Sequence, residues 1–255
     1  MIDSYLKRKV LALQDFTQLS VTAFLNVFST PRYLGDTVTQ MDAIGVGSLS
    51  IVLLTGFFSG AILALQTYRT LQSFGELGLM GQAVAIALVR ELGPVFTALV
   101  VAGRNSSGIA SEIGSMLVSE QIDALRALGT DPSRKLVTPR VYATVIMLPV
   151  LTILSDFIGL IGGYLVSFSV AKLTTAEYWT AAYQSLTFRD VSQGLVKPIF
   201  FGAIIALVGC YFGLKTEGGT QGVGRATTEA VVVASVLIIL VDFFIGRFLI
   251  GIHFA

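Results

Sequence analysis

The stretch AIGVGSLSIVLLTGFFSGAILALQTY, residues 43–68, runs for 26 residues between Asp42 and Arg69 without a single charge. A helix needs about 20 predominantly apolar residues to cross the hydrocarbon core of a bilayer. The stretch therefore predicts a transmembrane helix, and the rest of the chain has to be read against that solvent. Across all 255 residues 54% are hydrophobic and only 13% are charged, about half the charged share of an ordinary soluble domain.

Four further stretches extend the pattern. Gln82 to Gly103 is interrupted by Arg90 and Glu91, Val141 to Ala171 by Asp156, and Ala230 to Gly246 by Asp242, while Pro198 to Leu214 carries no charge. The expected spans are about 43–68, 82–104, 139–171, 197–214 and 229–250, which together form a transmembrane domain over residues 41–255. A soluble all-helical protein would have to place most of its residues in a core, which surface-to-volume scaling forbids at this length.

Several function classes drop out on composition. The net charge is +1 and no nucleic-acid module is recognisable, so nucleic acid is not an expected partner. Cys210 and His253 are the only residues of their kinds, so neither a disulfide nor a conventional structural zinc site is expected within one chain. The three positive charges near the start are not followed by a short apolar run with a cleavage site, as a secretory signal would require.

Lysine and arginine orient the spans. With the N-terminus cytoplasmic, eleven fall on the inner side and five outside, the five being Arg69, Lys172, Arg189, Lys197 and Arg247, with Arg90 within the membrane. The excess predicts a cytoplasmic N-terminus and a periplasmic C-terminus.

Residues 1–40 read as a helical prelude in which Leu11, Phe16, Leu19, Ala23 and Val27 recur near helical spacing. Such a segment suits either an amphipathic helix in the membrane interface or a peripheral packing helix. Between the second and third spans, Ile113 with Leu117, and Ile122 with Leu125 and Leu128, predict an amphipathic helix over about 112–129, closed by Gly129. Asp131 before Pro132 then signals a new helix start.

The charged pair of the second span is the most informative detail. Arg90 and Glu91 point about 100° apart on a helix and need not pair with each other. A charge at mid-membrane costs at least ~2.5 kcal/mol and ordinarily faces a cavity or a partner. Glu91 could line a polar cavity with Arg90 neutralising a carboxylate or snorkelling, or the pair could join helices structurally. Gly93 and Pro94 follow at once, and the missing proline N–H lets the helix bend or open there. Asp156 and Asp242 could carry protons or cap polar contacts between helices; the absence of a histidine partner and of a relay favours the second.

GFFSG at 56–60 places Gly56 and Gly60 on one face, and GLIGG at 159–163 supplies more small residues, so both predict close helix contacts. The glycine-rich run at 215–232 lacks the Gly-Lys-Ser/Thr ending of a phosphate-binding loop. A tight turn is expected there, with Thr227 or Thr228 satisfying free amides at the start of the fifth span. No nucleophile elbow, paired-carboxylate site or HExxH is present, so any ATPase would be a separate subunit.

These features, with RELGPVFTALVVAGR at 90–104, IASEIGSM at 109–116, EQIDALRALGTDP at 120–132, PR at 139–140 and GVGRATTEAVVVAS at 222–235, resemble the MlaE-type permeases of ABC transporters that work with MCE-domain proteins. The resemblance implies an all-α integral membrane protein with five transmembrane helices, a preceding interfacial helix and a cytoplasmic coupling helix between the second and third. It implies a homodimer in the bacterial inner membrane that moves phospholipid between that membrane and the outer envelope. Two ABC ATPase subunits would hold the ATP and magnesium, a hexameric MCE protein would cap the outside, and a small regulatory subunit on the ATPase is a further candidate partner; no cofactor is expected on this chain. By the same resemblance Glu91 lies near a lipid cavity, with Leu71 and Phe74 as further lining candidates, and Glu120, Asp123, Leu125 and Arg126 are ATPase contacts. A proton-coupled transporter and an intramembrane lipid-modifying enzyme are the alternatives.

Overall fold

The computed structural model describes residues 2–26 and 33–253; Val27 and Arg32, used above, lie outside them. Among the described residues the regular structure is helical throughout: α1 Ile2–Asn26, α2 Leu34–Phe74, α3 Met80–Ala87, α4 Gly93–Val101, α5 Ser107–Val118, α6 Gln121–Ala127, α7 Thr138–Ser169, α8 Thr175–Ser185, α9 Phe188–Leu214 and α10 Gly219–His253. Single π-helical turns at Leu88–Leu92, Ala102–Ser106 and Ser133–Val137 join α3 to α4, α4 to α5 and the next loop to α7. Five helical runs are long and apolar enough to cross a membrane: Leu34–Phe74, Leu77–Val118, Ser133–Ser169, Phe188–Leu214 and Gly219–Phe248. The expectation of an all-α integral membrane protein with five spans is met.

The chain packs as two compact units, one of Met1–Ile44, Ala102–Thr144 and Gly202–Leu237, the other of Gly45–Val101, Val145–Phe201 and Ile238–Ala255. The first is built on an apolar cluster that includes Ala23, Ile109, Ile113, Ile122, Val137 and Cys210. Helix α1 joins it through Leu19 and Ala23, the Tyr211 hydroxyl donates to the Ala12 carbonyl at 3.1 Å, and the Phe16 and Tyr211 rings meet edge to face at 5.5 Å. Leu11, by contrast, is exposed together with Val10, Leu13, Val21 and Phe24. The helix thus packs with one side, as the packing reading expects, and leaves another apolar side uncovered.

Two pieces of sequence far apart meet in this unit. The Arg140 guanidinium, buried in α7, donates to the Leu136 carbonyl and to Glu112 of α5, each at 2.8 Å. A buried pair of this sort adds little net stability, but deleting one partner strands the other.

The second unit shows why the small residues sit where they do. A methyl group on Gly60 would overlap the Gly159 carbonyl, one on Gly162 the Phe57 carbonyl, and one on Gly56 would lie 2.6 Å from the Ser155 carbonyl oxygen. Helices α2 and α7 therefore touch backbone to backbone, as GFFSG and GLIGG predict. Beside them, Tyr178 of α8 is fully buried and donates to the Leu160 carbonyl at 3.1 Å. Burial pushes its phenol well above the usual range. Helix α8 begins at a capping box in which Thr174 and Glu177 satisfy each other's backbone amides.

Three expectations need correction. The segment about 112–129 is not one helix: α5 stops at Val118, Glu120 takes a left-handed conformation with φ of 60°, and α6 starts at Gln121. The apolar positions hold the reason, because the step from Leu117 to Ile122 is five residues and cannot stay on one helical face. The fourth span starts at Phe188 rather than near 197. A capping box explains this, with the Thr187 amide donating to Asp190 at 2.9 Å and the Asp190 amide donating back to the Thr187 hydroxyl at 3.4 Å. Lys197 is consequently not in an outer loop. Finally, α10 begins at Gly219, after positive φ at Gly218 and Gly219. Thr227 and Thr228 are already helical there and donate to the Gly224 carbonyl instead of accepting from amides.

Candidate functional site: a charged cluster inside the spans

The second span carries the site beside Pro94, whose ring perturbs an ordinary helix without ending it. That ring lacks an N–H and crowds the carbonyl four residues back. The chain responds by widening into the π turn Leu88–Leu92 just before Gly93. Gly93 and Pro94 do not break the helix, which runs on as α4. π turns of this kind re-aim side chains and concentrate at functional sites.

Helix α9 lies hard against the turn, since a methyl group on Gly194 would overlap the Val89 carbonyl. That approach brings three residues of one α9 face, Asp190, Gln193 and Lys197, toward the charged pair. Arg90 Nε lies 3.5 Å from Asp190 Oδ1. The Gln193 amide donates to Glu91 Oε1 at 3.2 Å, and Lys197 Nζ forms an ion pair with Glu91 Oε2. Lys197 also pairs with Asp242 of α10 at 2.9 Å. Arg90 and Glu91 thus each take a partner elsewhere, as their angular separation allows.

Exposure divides the cluster by role. The Lys197 side chain is 0% exposed, Glu91 45% and Asp242 21%. An ammonium with no access to water is tolerable only between carboxylates, and two surround it. Glu91 is then a carboxylate anchored from behind by a buried cation while half of its surface stays open. In formal charge the cluster sets Arg90 and Lys197 against Asp190, Glu91 and Asp242, leaving one negative charge in excess. It contains no nucleophile beside a base, and no group of three or more metal-binding side chains occurs among the described residues.

The remaining sequence candidates fall into separate places. Asp156 directs Oδ1 at the Cα of Gly93, and that oxygen is buried without a hydrogen-bond partner among the described residues. It flanks the π turn and is not bonded into the Lys197 cluster. Leu71 packs against the apolar core that contains Met80, Val84 and Leu88, whereas Phe74, 74% exposed, projects from the end of α2. In α6 Asp123 and Arg126 pair at 2.8 Å on the surface. Leu125 packs inward against the Ile122 cluster, and Glu120 sits at the left-handed junction. Leu128, outside the expected set, is 80% exposed. Gly129 closes α6 as anticipated: its amide donates to the Arg126 carbonyl and that of Thr130 to the Leu125 carbonyl.

Asp190, Gln193 and Lys197 are the members of the cluster that sequence reasoning missed. Their signal was the polar spacing Asp190, Gln193, Lys197, which follows one helical face at steps of three and four. It was masked because Lys197 precedes Pro198 and so resembled the outer end of a span.

Comparison with known proteins agrees with this architecture. Residues 37–248 match the family described as Permease MlaE. A probable ABC transporter permease protein of Rickettsia typhi is 44% identical over 92% of this chain and 90% of its own. A protein of Synechocystis with the same description is 40% identical, covering 89% of this chain and 87% of its own. The intermembrane phospholipid transport system permease protein MlaE of Haemophilus influenzae is 38% identical over 84% of this chain and 82% of its own. With five spans, a charged cluster held inside them and these relatives over most of its length, the chain is a multi-pass membrane permease that belongs to the MlaE family.

Proposed function

We propose that the chain is the membrane subunit of an ATP-driven phospholipid transporter, working as a homodimer in a bacterial inner membrane with two ABC ATPases on its cytoplasmic side and a hexameric MCE protein outside. The observation that carries the reading is the half-exposed Glu91 carboxylate anchored by the buried Lys197, in a family that includes a phospholipid permease. ATP and magnesium belong to the partner ATPase. The N-terminus is cytoplasmic, α1 lies in the inner interface with its uncovered apolar side toward lipid, and the C-terminus is periplasmic.

In this mechanism no covalent bond is made to the lipid. Closure of the ATPase pair pushes on α6, where Asp123, Arg126 and Leu128 form the contact and Glu120 is the joint. The Schellman ending at Gly129 and the Asp131–Pro132 start transmit the push to the π turn Ser133–Val137 and so to α7. Glu91, with Leu71 and Phe74 nearer the outer end of the first span, lines the lipid path. Its charge holds a polar headgroup while apolar walls take the chains, each buried methylene contributing about 0.8 kcal/mol. Release then requires deformation of the path, which ATP drives.

The test is transfer of labelled phospholipid from proteoliposomes containing the assembled complex to an acceptor, with and without ATP. Glu91→Ala should leave assembly intact and lower ATP-dependent transfer. Transfer that proceeds without ATP on a proton gradient would replace this reading by the secondary-transporter one. Unchanged transfer and ATPase rate in the variant would return Glu91 to a structural role.

A further inference from the structure

Away from the Glu91 cluster, the first unit holds a polar concavity of about 270 Å³ between the start of α2 and the Ala102–Ser106 turn with α5. Its walls carry opposite charges, Arg104 and Glu112, with the Gln40 and Asn105 amides beside them and Ile44 and Ile109 as apolar surface. The volume is below the roughly 300–1,000 Å³ of pockets for drug-sized ligands. A compact charged group fits it; an acyl chain does not.

Both charges are fixed in place. Arg104 Nη1 donates to the Ala43 carbonyl at 3.0 Å and to Asn105 Oδ1 at 3.2 Å, which sets the guanidinium at the pocket wall. Glu112 is held through one oxygen by the buried Arg140, yet its side chain is more than half exposed. A carboxylate has about four acceptor sites, so the bond to Arg140 leaves room for a second cation.

Position along the chain identifies the source of the ligand. Gln40 and Ile44 bracket the point where the uncharged run of residues 43–68 begins, and Arg104 ends the uncharged run that follows Glu91. Both apolar stretches stop at this pocket, which places it at the level where lipid headgroups meet water.

We propose that this pocket binds the headgroup of a zwitterionic aminophospholipid, the phosphate on Arg104 and the primary ammonium on Glu112. Guanidinium is suited to the phosphate because it is permanently protonated and carries five N–H donors. Glu112 adds selectivity, attracting a headgroup that ends in ammonium and disfavouring an uncompensated anion. The proposal rests on the reading of the chain as a phospholipid permease and gives that permease a headgroup contact at the end of the spans that bears the coupling segment.

Gly108 supplies a clean test. It lines the pocket, and a Cβ there would meet nothing within 4 Å, so Gly108→Leu adds bulk to the pocket wall while leaving both charged residues in the chain. The purified full-length chain is titrated in detergent with dihexanoyl phosphatidylethanolamine, dihexanoyl phosphatidylglycerol and O-phosphoethanolamine, binding being read by calorimetry and folding by thermal melting. The ethanolamine lipid should bind about tenfold more tightly than the glycerol lipid, the worth of one charge-assisted hydrogen bond. Glu112→Gln should abolish that preference, and Gly108→Leu should weaken the ethanolamine lipid about tenfold or more with an unchanged or raised melting temperature. Weaker binding of O-phosphoethanolamine than of the lipid assigns the site to a membrane source; equal binding assigns the same chemistry to a soluble one. Equal affinity for the two lipids, or indifference to Gly108→Leu in a folded protein, overturns the proposal. Selective binding by a chain whose complex fails to transport sinks the permease reading alone, whereas transport without selective binding sinks only this one.

Discussion

Lys197 and Lys215 sit eighteen residues apart, one inside α9 and the other just past its end, and both are paired with aspartate. Lys197 is 0% exposed between Glu91 and Asp242, while Lys215 is 46% exposed beside Asp15. Water can replace Asp15 for Lys215, and nothing replaces the carboxylates for Lys197. The same residue type is therefore expendable at one position and obligatory at the other. Lys197→Met should cost about 3–5 kcal/mol because it leaves two carboxylates uncompensated within the spans, and Lys215→Met under about 1 kcal/mol. Thermal melting of both variants in the same detergent checks the contrast, and equal shifts would break it. Partial recovery in the double variant Lys197→Met, Glu91→Gln would sharpen it by showing that the stranded charge, more than the lost contact, carries the penalty.

Glycines permit the same comparison without charge. Gly60→Ala forces a methyl into the Gly159 carbonyl, and overpacking of this sort costs about 1–3 kcal/mol. Gly103, in the Ala102–Ser106 turn, would present its Cβ to open space. Gly103→Ala should be neutral or stabilise by about 0.5–1 kcal/mol through reduced chain entropy. A tolerated Gly60→Ala would show that α2 and α7 can separate, contrary to their backbone contact.

What the sequence reveals about this molecule follows from the range of each interaction. Hydropathy is a property of contiguous residues, so five spans and their number could be read directly, and glycines four apart announced close helix contacts though not that α2 and α7 make them with each other. Glu91 could be singled out because a charge in an apolar run is conspicuous by itself. Its partner could not, since Lys197 is 106 residues away and stood beside a proline that suggested a helix end. The break at Glu120 was locally encoded in the five-residue step from Leu117 to Ile122 and was overlooked because each half alone satisfied helical spacing. Thr227 and Thr228 looked like caps because glycine is a poor helix former, but the run at 219–226 is carried by continuity with the long helix α10.

The segment proposed to couple to the ATPase offers a smaller contrast, between a leucine facing in and one facing out. Leu125 packs on the Ile122 cluster, and Leu128 is 80% exposed. Leu128→Asp should leave stability within about 0.5 kcal/mol of the parent, as exposed substitutions do, yet weaken co-purification with the ATPase. Leu125→Asp should lower stability by about 1–3 kcal/mol, the range for placing a charge against apolar side chains, so its loss of ATPase would follow from local unfolding. If Leu128→Asp retains the ATPase at full stimulated turnover, the docking face lies elsewhere on the segment.

The smallest effect concerns Lys215, at the solvent-exposed rim just past the end of α9. Its hydrogen bond to Asp15 is the main reason its ammonium is held above the ordinary lysine value of 10.5, with Tyr211 assisting and partial burial opposing. A raised value in the folded state means that the protonated form is the stabilised one. The contribution is fully present below the unfolded lysine pKa and disappears as pH rises through the higher folded value. The melting difference between the parent and Lys215→Met should thus stay level from about pH 7 to about pH 9 and shrink only in the alkaline region beyond. Solvent screening limits that difference to a few tenths of a kcal/mol, so the pH profile discriminates better than the magnitude. A difference that already fades between about pH 7 and about pH 9 would mean that another group titrates at this contact, and the rim would then be more than an exchangeable ion pair.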